Sequence, residues 1–270
     1  KIRKNFYVRS FESKAKKYFG SKNCLAVTSG TAAIKIALKA LNVKPGDEVI
    51  TQSFNFIATI EAILDCGAKP VIANIDETLN LDVKELKKLI NKKTKAIIPV
   101  HMLGASCNMR EIIKISKIHN IPILEDNCEA VGGKYDNKYL GTIGDIGVFS
   151  FDHGKIITTG EGGAITTNDD KLAGKIKILR DHGKTPGNSY WHEVLGYNYR
   201  LTNLQAALGL AQLSRIEDIM SKKSHINKLY NKGFNDLPIG LKSKFIIFFV
   251  GNGKKDEVNS LKKKISDYKL

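Results

Sequence analysis

The distribution of apolar and polar residues predicts an alternation of strands and helices over most of the chain. From residue 24 to 168, short apolar runs alternate with amphipathic stretches, which is typical of strands joined by crossover helices. The pattern therefore predicts an α/β domain with a mostly parallel sheet. The predicted strands cover 24–27, 48–52, 69–75, 95–101, 121–125, 146–151 and 162–167, and the predicted helices cover 31–42, 57–66, 82–91 and 108–119.

Two of these strands are nearly continuous in apolar residues. Lys69 to Ile75 and Lys95 to Val100 have almost no polar alternation, so we expect helices to cover both of their faces. Asp82 precedes an amphipathic stretch and is expected to cap the helix that follows it.

The pattern changes after residue 202. A long helical periodicity begins after Thr202 and continues toward Tyr230, which predicts one helix leading out of the first domain. Beyond it the sequence predicts one strand, Phe245 to Val250, and one Lys-rich helix, 256–265. One strand and one helix cannot bury a core of their own. We therefore expect a large domain at 1–220 and an incomplete small C-terminal α/β domain at 221–270.

Composition narrows the class of protein. The 270 residues carry 43 Lys+Arg against 27 Asp+Glu, a formal charge of +16. The basic residues are almost all lysines spread along the chain, whereas readers of nucleic acid favour arginine, so we do not expect a nucleic-acid partner. No apolar run is long enough to span a bilayer, and the basic start at Lys1 leads into a polar helix rather than a signal core. The four cysteines form no CxxC pair, which favours a reducing cytoplasm.

Three features carry candidate chemistry. Thr28–Ala33 follows a short strand and opens a helix, so it is either a phosphate seat at a helix N-terminus or an ordinary Ser/Thr cap. Glu125 and Asp126 end an apolar strand, where open α/β sheets place ligands; the alternative is a solvated strand end. Lys155 lies in a strand-loop-strand segment rich in Gly and Thr, where an amine can form a Schiff base. Together they are the three anchors that pyridoxal 5'-phosphate needs.

The chain resembles the DegT/DnrJ/EryC1/StrS sugar aminotransferases, which belong to the aspartate-aminotransferase fold type of pyridoxal phosphate enzymes (fold type I). The resemblance extends from Phe11 to about Met220 and implies a three-layer α/β/α large domain. The motifs that carry it, in chain order, are Ser29–Ala33, Glu125–Asp126, Ser150–Phe151, Lys155 with Gly160–Gly163, and Gly196–Arg200.

The resemblance assigns roles around the ring of the cofactor. It implies that Lys155 forms the Schiff base and later shuttles a proton between substrate and cofactor carbons. Asp126 matches the carboxylate that pairs with the pyridinium nitrogen. Phe56 matches the aromatic residue that stacks on the ring.

Further matches concern the phosphate and the ring hydroxyl. Gly30, Thr31 and Ser150 match phosphate contacts, and Asn198 matches a phosphate contact from a second subunit, which implies a homodimer with shared active sites. Glu129 stands where relatives commonly have Gln or His near the ring hydroxyl, and a carboxylate there would alter the local charge balance.

The implied activity is the transfer of an amino group from an amino acid, glutamate by resemblance, to a keto-sugar, for the biosynthesis of polysaccharide or a sugar metabolite. We expect this keto-sugar to be nucleotide-linked. One alternative is a sugar 3-dehydratase of the same fold, which Glu125–Ala130 resembles but which has His in place of Lys155. Another is a regulatory protein that binds the cofactor without turnover.

The remaining motifs favour structural roles. Gly141–Gly147 is not a dinucleotide fingerprint and is interpreted as a turn before a strand. The histidines have no metal-ligand spacing, so no metal is expected, although His101 at a strand end could line the substrate pocket. The aromatic clusters Tyr190–His192 and Tyr197–Tyr199 are interpreted as packing or interface residues, with a sugar or nucleotide wall as the alternative.

Overall fold

The computed structural model describes residues 5–184, 187 and 190–234. They fall into two compact units that divide after Ser214. The predicted strand 245–250 and the predicted helix 256–265 lie outside the described residues. Most of the predicted small domain, 221–270, lies outside them as well.

The first unit is built on one mixed sheet. A three-stranded and a four-stranded sheet adjoin through parallel bridges, Ile97 with Ile123 and Val100 with Asp126, and give the order β3-β2-β4-β5-β8-β9-β1. Strand β9 is antiparallel to both of its neighbours, and the other pairings described in this sheet are parallel. The strands are β1 (Asn23–Val27), β2 (Glu48–Gln52), β3 (Lys69–Ala73), β4 (Thr94–Ile98), β5 (Leu124–Asp126), β8 (Ile146–Ser150) and β9 (Gly163–Thr167); β6 (Lys134–Tyr135) and β7 (Lys138–Tyr139) form a separate hairpin.

Helices connect and cover these strands, as the sequence pattern predicts for an α/β domain. Asp82 caps α4 by accepting a hydrogen bond from the backbone N–H of Lys84, as expected. In the second unit, α8 carries an ion pair between Lys222 and Asp218 at 3.0 Å. The helices are α1 (Phe6–Phe19), α2 (Gly30–Ala40), α3 (Ile57–Asp65), α4 (Val83–Leu89), α5 (Met109–His119), α6 (Asp170–Arg180), α7 (Asn203–Ser214) and α8 (Ile216–Phe234).

The hydrophobic core fixes α2 and the central strands rigidly. All five residues of β8 and of β9 are buried, and α2 contributes a largely buried apolar surface that includes Ile34, Ile36 and Leu38. Burial on this scale contributes most of the free energy of folding. The ends of α2, β5 and β8 are therefore held in fixed positions, and these ends form the site described below.

Two expectations of the sequence analysis are wrong. The helical pattern from Thr202 to Tyr230 is not one helix, because α7 ends at Ser214 and α8 begins at Ile216. Strand β3 is not covered on both faces, because Ile72 is 47% exposed. An apolar run reports the hydrophobicity of a strand but not the number of its neighbours.

Candidate active site

A cavity of about 420 Å³ opens at the carboxyl ends of β5 and β8. Its size lies in the range of small-molecule sites. The N-termini of α2 and α3 face it, so free backbone N–H groups and the positive ends of two helix dipoles converge there. Seven of the eight predicted site residues line it: Gly30, Thr31, Phe56, Asp126, Glu129, Ser150 and Lys155.

The N-terminus of α2 is closely packed and lacks space for a side chain. Ser29 caps the helix, its Oγ accepting a hydrogen bond from the backbone N–H of Ala32 at 3.1 Å. A Cβ at Gly30 would lie 2.9 Å from Ser150 Cβ, and a Cβ at Gly163 would lie 2.5 Å from the Ser29 carbonyl oxygen. These glycines let β8, β9 and the helix N-terminus approach, which leaves a cradle suited to an anion.

The two carboxylates at the end of β5 point to opposite sides, and only Asp126 lines the cavity. Its Oδ2 accepts a hydrogen bond from Thr59 Oγ1 at 2.8 Å, and its Oδ1 accepts one from the backbone N–H of Cys128 at 3.1 Å. The alternative of a solvated strand end is therefore wrong, because both acids are buried and one of them faces the cavity. Asp126 is 4% exposed, so it presents a buried acceptor to the cavity.

The Glu125 carboxylate is hydrogen-bonded to backbone groups and does not line the cavity. Its carboxylate accepts backbone hydrogen bonds from Gly141, Ile143 and Gly144, the turn that precedes β8. This confirms the turn that the sequence predicts. His101 Nε2 lies 3.0 Å from Glu125 Oε2, and His101 Nδ1 accepts from the backbone N–H of another loop residue, so the ring proton belongs on Nε2. His101 is fully buried and is absent from the residues lining the cavity, so its expected place in the pocket wall is wrong.

Lys155 enters the cavity from the loop between β8 and β9. Its backbone N–H donates to the carbonyl of Asp152 at 3.0 Å, which fixes the loop. Lys155 Nζ lies 3.8 Å from Glu129 Oε1, and the two side chains are 22% and 21% exposed. Glu129 is held in turn by the backbone N–H of Leu103, which donates to Oε2 at 3.4 Å. The amine thus has a carboxylate beside it and limited access to water.

The eighth predicted residue, Asn198, lies elsewhere. It is not among the residues that line the cavity, and its Oδ1 accepts hydrogen bonds from Arg200 Nε and Nη2 at 3.3 and 3.2 Å. On either side of it, the rings of Tyr197 and Tyr199 stack at 5.0 Å, and Lys35 Nζ lies 5.1 Å from the Tyr197 ring centroid. The role of Asn198 in a second subunit's site stays a prediction.

Several cavity residues are absent from the predicted set: Asn55, Thr59, Cys128, Asp152 and Glu161 line it as well. Thr59 lies one helical turn beyond Phe56 and Cys128 two residues beyond Asp126, so helix and strand-end spacing from the predicted residues is the signal that could have found them. Burial raises the pKa of the Cys128 thiol well above its usual range, and the neighbouring Asp126 carboxylate raises it further.

Possible cation ligands also occur at the cavity edge. Ligand atoms of Asp152, His153 and Glu161 lie within 4.8 Å of one another. His153 Nδ1 is already 2.7 Å from Asp152 Oδ1, and His153 and Glu161 are exposed. Burial raises the pKa of Asp152, but hydrogen bonds from Gly154 and His153 lower it by more. The hydrogen bond between His153 and Asp152 explains why these two side chains lie together, and we assign no metal to the cluster.

Comparisons with known proteins agree with the fold. The sequence profile described as the DegT/DnrJ/EryC1/StrS aminotransferase family matches residues 1–246. GDP-perosamine synthase of Caulobacter vibrioides is 44% identical over 227 residues, which are 84% of this chain and 61% of that protein. The structure of Helicobacter pylori PseC, an aminotransferase involved in the biosynthesis of pseudoaminic acid, has a TM-score of 0.82 at 35% identity and covers 86% of this chain and 64% of that chain.

A dehydratase is similar too. The structure of E coli GDP-4-keto-6-deoxy-D-mannose-3-dehydratase with bound hydrated PLP has a TM-score of 0.81 at 32% identity, covering 86% of this chain and 66% of that chain. The chain therefore spans less than two thirds of the length of these relatives.

The mixed sheet, with a lysine and a buried carboxylate meeting at its carboxyl edge, has the architecture of the fold type I pyridoxal phosphate transferases. Within that class, the chain belongs to the DegT/DnrJ/EryC1/StrS aminotransferase family. No helix in the described part of the chain is both long and apolar enough to cross a membrane.

The residues of the cavity fit the cofactor of this family. Asp126 offers a buried, oriented acceptor for a protonated ring nitrogen, Lys155 offers an amine, and the cradle that a Cβ at Gly30 would fill offers backbone N–H groups to a phosphate. Phe56 is 68% exposed and lines the cavity, so its ring is available to stack on a planar ligand.

Proposed function

We propose that this chain carries the cofactor-binding part of a pyridoxal 5'-phosphate-dependent sugar aminotransferase. The observation that carries the proposal is the placement of Lys155 and Asp126 in one cavity beside the N-terminus of α2. When bound, pyridoxal 5'-phosphate supplies an aldehyde that condenses with amines and a ring that accepts an electron pair. The names of the relatives support a nucleotide-linked keto-sugar as acceptor. The proposed setting is the biosynthesis of polysaccharide or of a sugar metabolite, and the proposed location is the cytoplasm, which the four free cysteines favour.

Different residues of this chain bind the phosphate, hold the ring nitrogen and transfer the proton. The backbone N–H groups at Gly30 and Thr31, with Ser150, bind the phosphate, and Asp126 holds the proton on the ring nitrogen. Lys155 Nζ would move a proton at the substrate carbon. Overall, glutamate and a keto-sugar are converted to 2-oxoglutarate and an amino-sugar, so the amine is exchanged for the carbonyl oxygen.

The proposal includes a homodimer in which Asn198 of one subunit reaches the phosphate site of the other. The position of Asn198 outside the cavity of its own chain supports this arrangement. Lys155 favours the aminotransferase over the 3-dehydratase, because a lysine would offer the cofactor aldehyde an amine to bind and the histidine of the dehydratase would not.

Spectroscopy of the full chain with pyridoxal 5'-phosphate tests the proposal. We expect glutamate to bleach the yellow colour while one equivalent of 2-oxoglutarate forms per cofactor, and a keto-sugar from a panel to restore it. Asp126→Asn is expected to slow the bleaching strongly. Asp136→Asn, which alters only an exposed ion pair with Arg110, is its control and is expected to behave as wild type. Colour that no amino acid bleaches would instead support a regulatory protein.

A further inference from the structure

Thr59 is almost completely buried, and its hydroxyl donates a hydrogen bond to a residue that is distant in the sequence. It lies in the first turn of α3 and is 1% exposed. A threonine in a helix commonly bonds to a carbonyl of its own helix. Here Oγ1 instead donates to Asp126 Oδ2 at 2.8 Å, across 67 positions of sequence, and links α3 to the end of β5.

The hydroxyl has one proton and two acceptors within reach. Besides Asp126 Oδ2 at 2.8 Å, Asn55 Oδ1 lies at 3.2 Å from Thr59 Oγ1. The carboxylate is the nearer acceptor and carries a charge, so the hydroxyl donates its hydrogen bond to Asp126. Since the backbone N–H of Cys128 donates to Oδ1, both oxygens of the carboxylate are held, each from a different segment of the chain.

This arrangement limits rotation of the carboxylate. The terminal torsion of an aspartate is broad, so a carboxylate with one fixed oxygen still turns. With both oxygens held, the carboxylate keeps one orientation, and both Asp126 and Thr59 line the cavity. Thr59 is also three residues beyond Phe56, on the same side of α3, so the same bond sets the position of the predicted stacking residue relative to Asp126.

We propose that Thr59 is a positioning residue that aims the Asp126 carboxylate at the ring nitrogen of the cofactor. The inference rests on the proposed function, because it requires pyridoxal 5'-phosphate to bind with its nitrogen toward Asp126. Thr59 acts through Asp126 and takes no part in proton transfer. Its contribution is therefore specific for ligands that carry a basic nitrogen at that ring position.

The test compares two probes on the full chain: pyridoxal 5'-phosphate and its deaza analogue, in which C–H replaces the ring nitrogen. The measured quantity is the ratio of their dissociation constants. We expect wild type to prefer the nitrogen-containing cofactor, and Thr59→Val to reduce that preference about tenfold, a change of about 1.4 kcal/mol. Thr59→Ser retains the hydroxyl and is expected to keep the ratio of wild type.

The outcomes separate the two proposals. If Thr59 acted through packing alone, its replacement would weaken the binding of both probes equally. An unchanged ratio of dissociation constants in Thr59→Val therefore overturns the inference and leaves the proposed function standing. Absence of any preference in wild type overturns the pairing of Asp126 with the ring and the inference with it. Thr59→Ala is a second hydroxyl-free variant, and thermal melting of each variant identifies the one to compare if valine prevents folding.

Discussion

The substitution Gly30→Ala tests whether the N-terminus of α2 must approach β8 as closely as the structure shows. The added Cβ would lie 2.9 Å from Ser150 Cβ and 3.0 Å from Cys128 Sγ. Carbon atoms normally approach to about 3.5 Å, so helix and strand must separate by roughly 0.6 Å. Cys128 can rotate its sulfur away, but Ser150 Cβ is attached directly to the backbone of a buried strand.

The net effect on stability follows from two opposing contributions. Overpacking of a tight contact typically costs about 1–3 kcal/mol, whereas alanine is favoured over glycine in a helix by up to about 1 kcal/mol. We expect the free energy of unfolding of Gly30→Ala to fall by about 1 kcal/mol. Gly174→Ala is the matched control, because Gly174 lies in α6 with nothing within 4 Å of its added Cβ. That variant is expected to gain about 0.5–1 kcal/mol.

Urea denaturation of the two variants and wild type measures these differences. Cofactor titration provides the functional readout, since displacement of the helix N-terminus weakens the phosphate contacts; we expect a loss of affinity of about tenfold for Gly30→Ala and none for Gly174→Ala. Gly30→Ala with the stability and cofactor affinity of wild type would show that the close approach at the cradle is not required.

Two further predictions concern residues around the cavity. Glu125→Gln places an amide among the backbone donors of Gly141, Ile143 and Gly144. We expect urea denaturation to show that the free energy of unfolding falls by about 3 kcal/mol, against less than about 0.5 kcal/mol for the exposed control Glu77→Gln. Equal effects of the two substitutions would contradict a structural role for Glu125. Because the pKa of the Cys128 thiol is raised, a smaller fraction of it is thiolate at pH 8 in the folded chain than in urea. We therefore expect mass spectrometry to show slower alkylation of Cys128 in the folded chain, with a rate that still rises above pH 9. Rapid alkylation at neutral pH would contradict the raised pKa.

Most of the strands and helices can be predicted from local patterns in the sequence. Apolar runs bounded by turn residues predict the central strands, and amphipathic periodicity predicts α2, α3 and α5, because each pattern records which side of an element meets the core. The exposure of β3 is not local, since it depends on which elements pack against its faces. The separate hairpin of β6 and β7 and the helix α6 were not predicted.

The candidate site shows the same division between local and tertiary information. Lys155, Asp126 and the glycine at the α2 N-terminus are found from the sequence because turn chemistry and strand ends constrain them, and the family motifs match them. Thr59 was missed because its role depends on a hydrogen bond across the fold. The direction of His101 was misjudged for a similar reason: the buried Glu125 draws the ring away from the cavity.

Borohydride reduction of the full chain loaded with pyridoxal 5'-phosphate, followed by peptide mass spectrometry, most directly tests whether Lys155 holds the cofactor. We expect one reduced pyridoxyl group per chain, located on Lys155, no labelling of Lys155→Arg, and normal labelling of Lys117→Arg, which alters an exposed lysine of α5. Labelling spread over several surface lysines, or retained in Lys155→Arg at the level of wild type, would contradict the assignment of the cavity as a pyridoxal phosphate site.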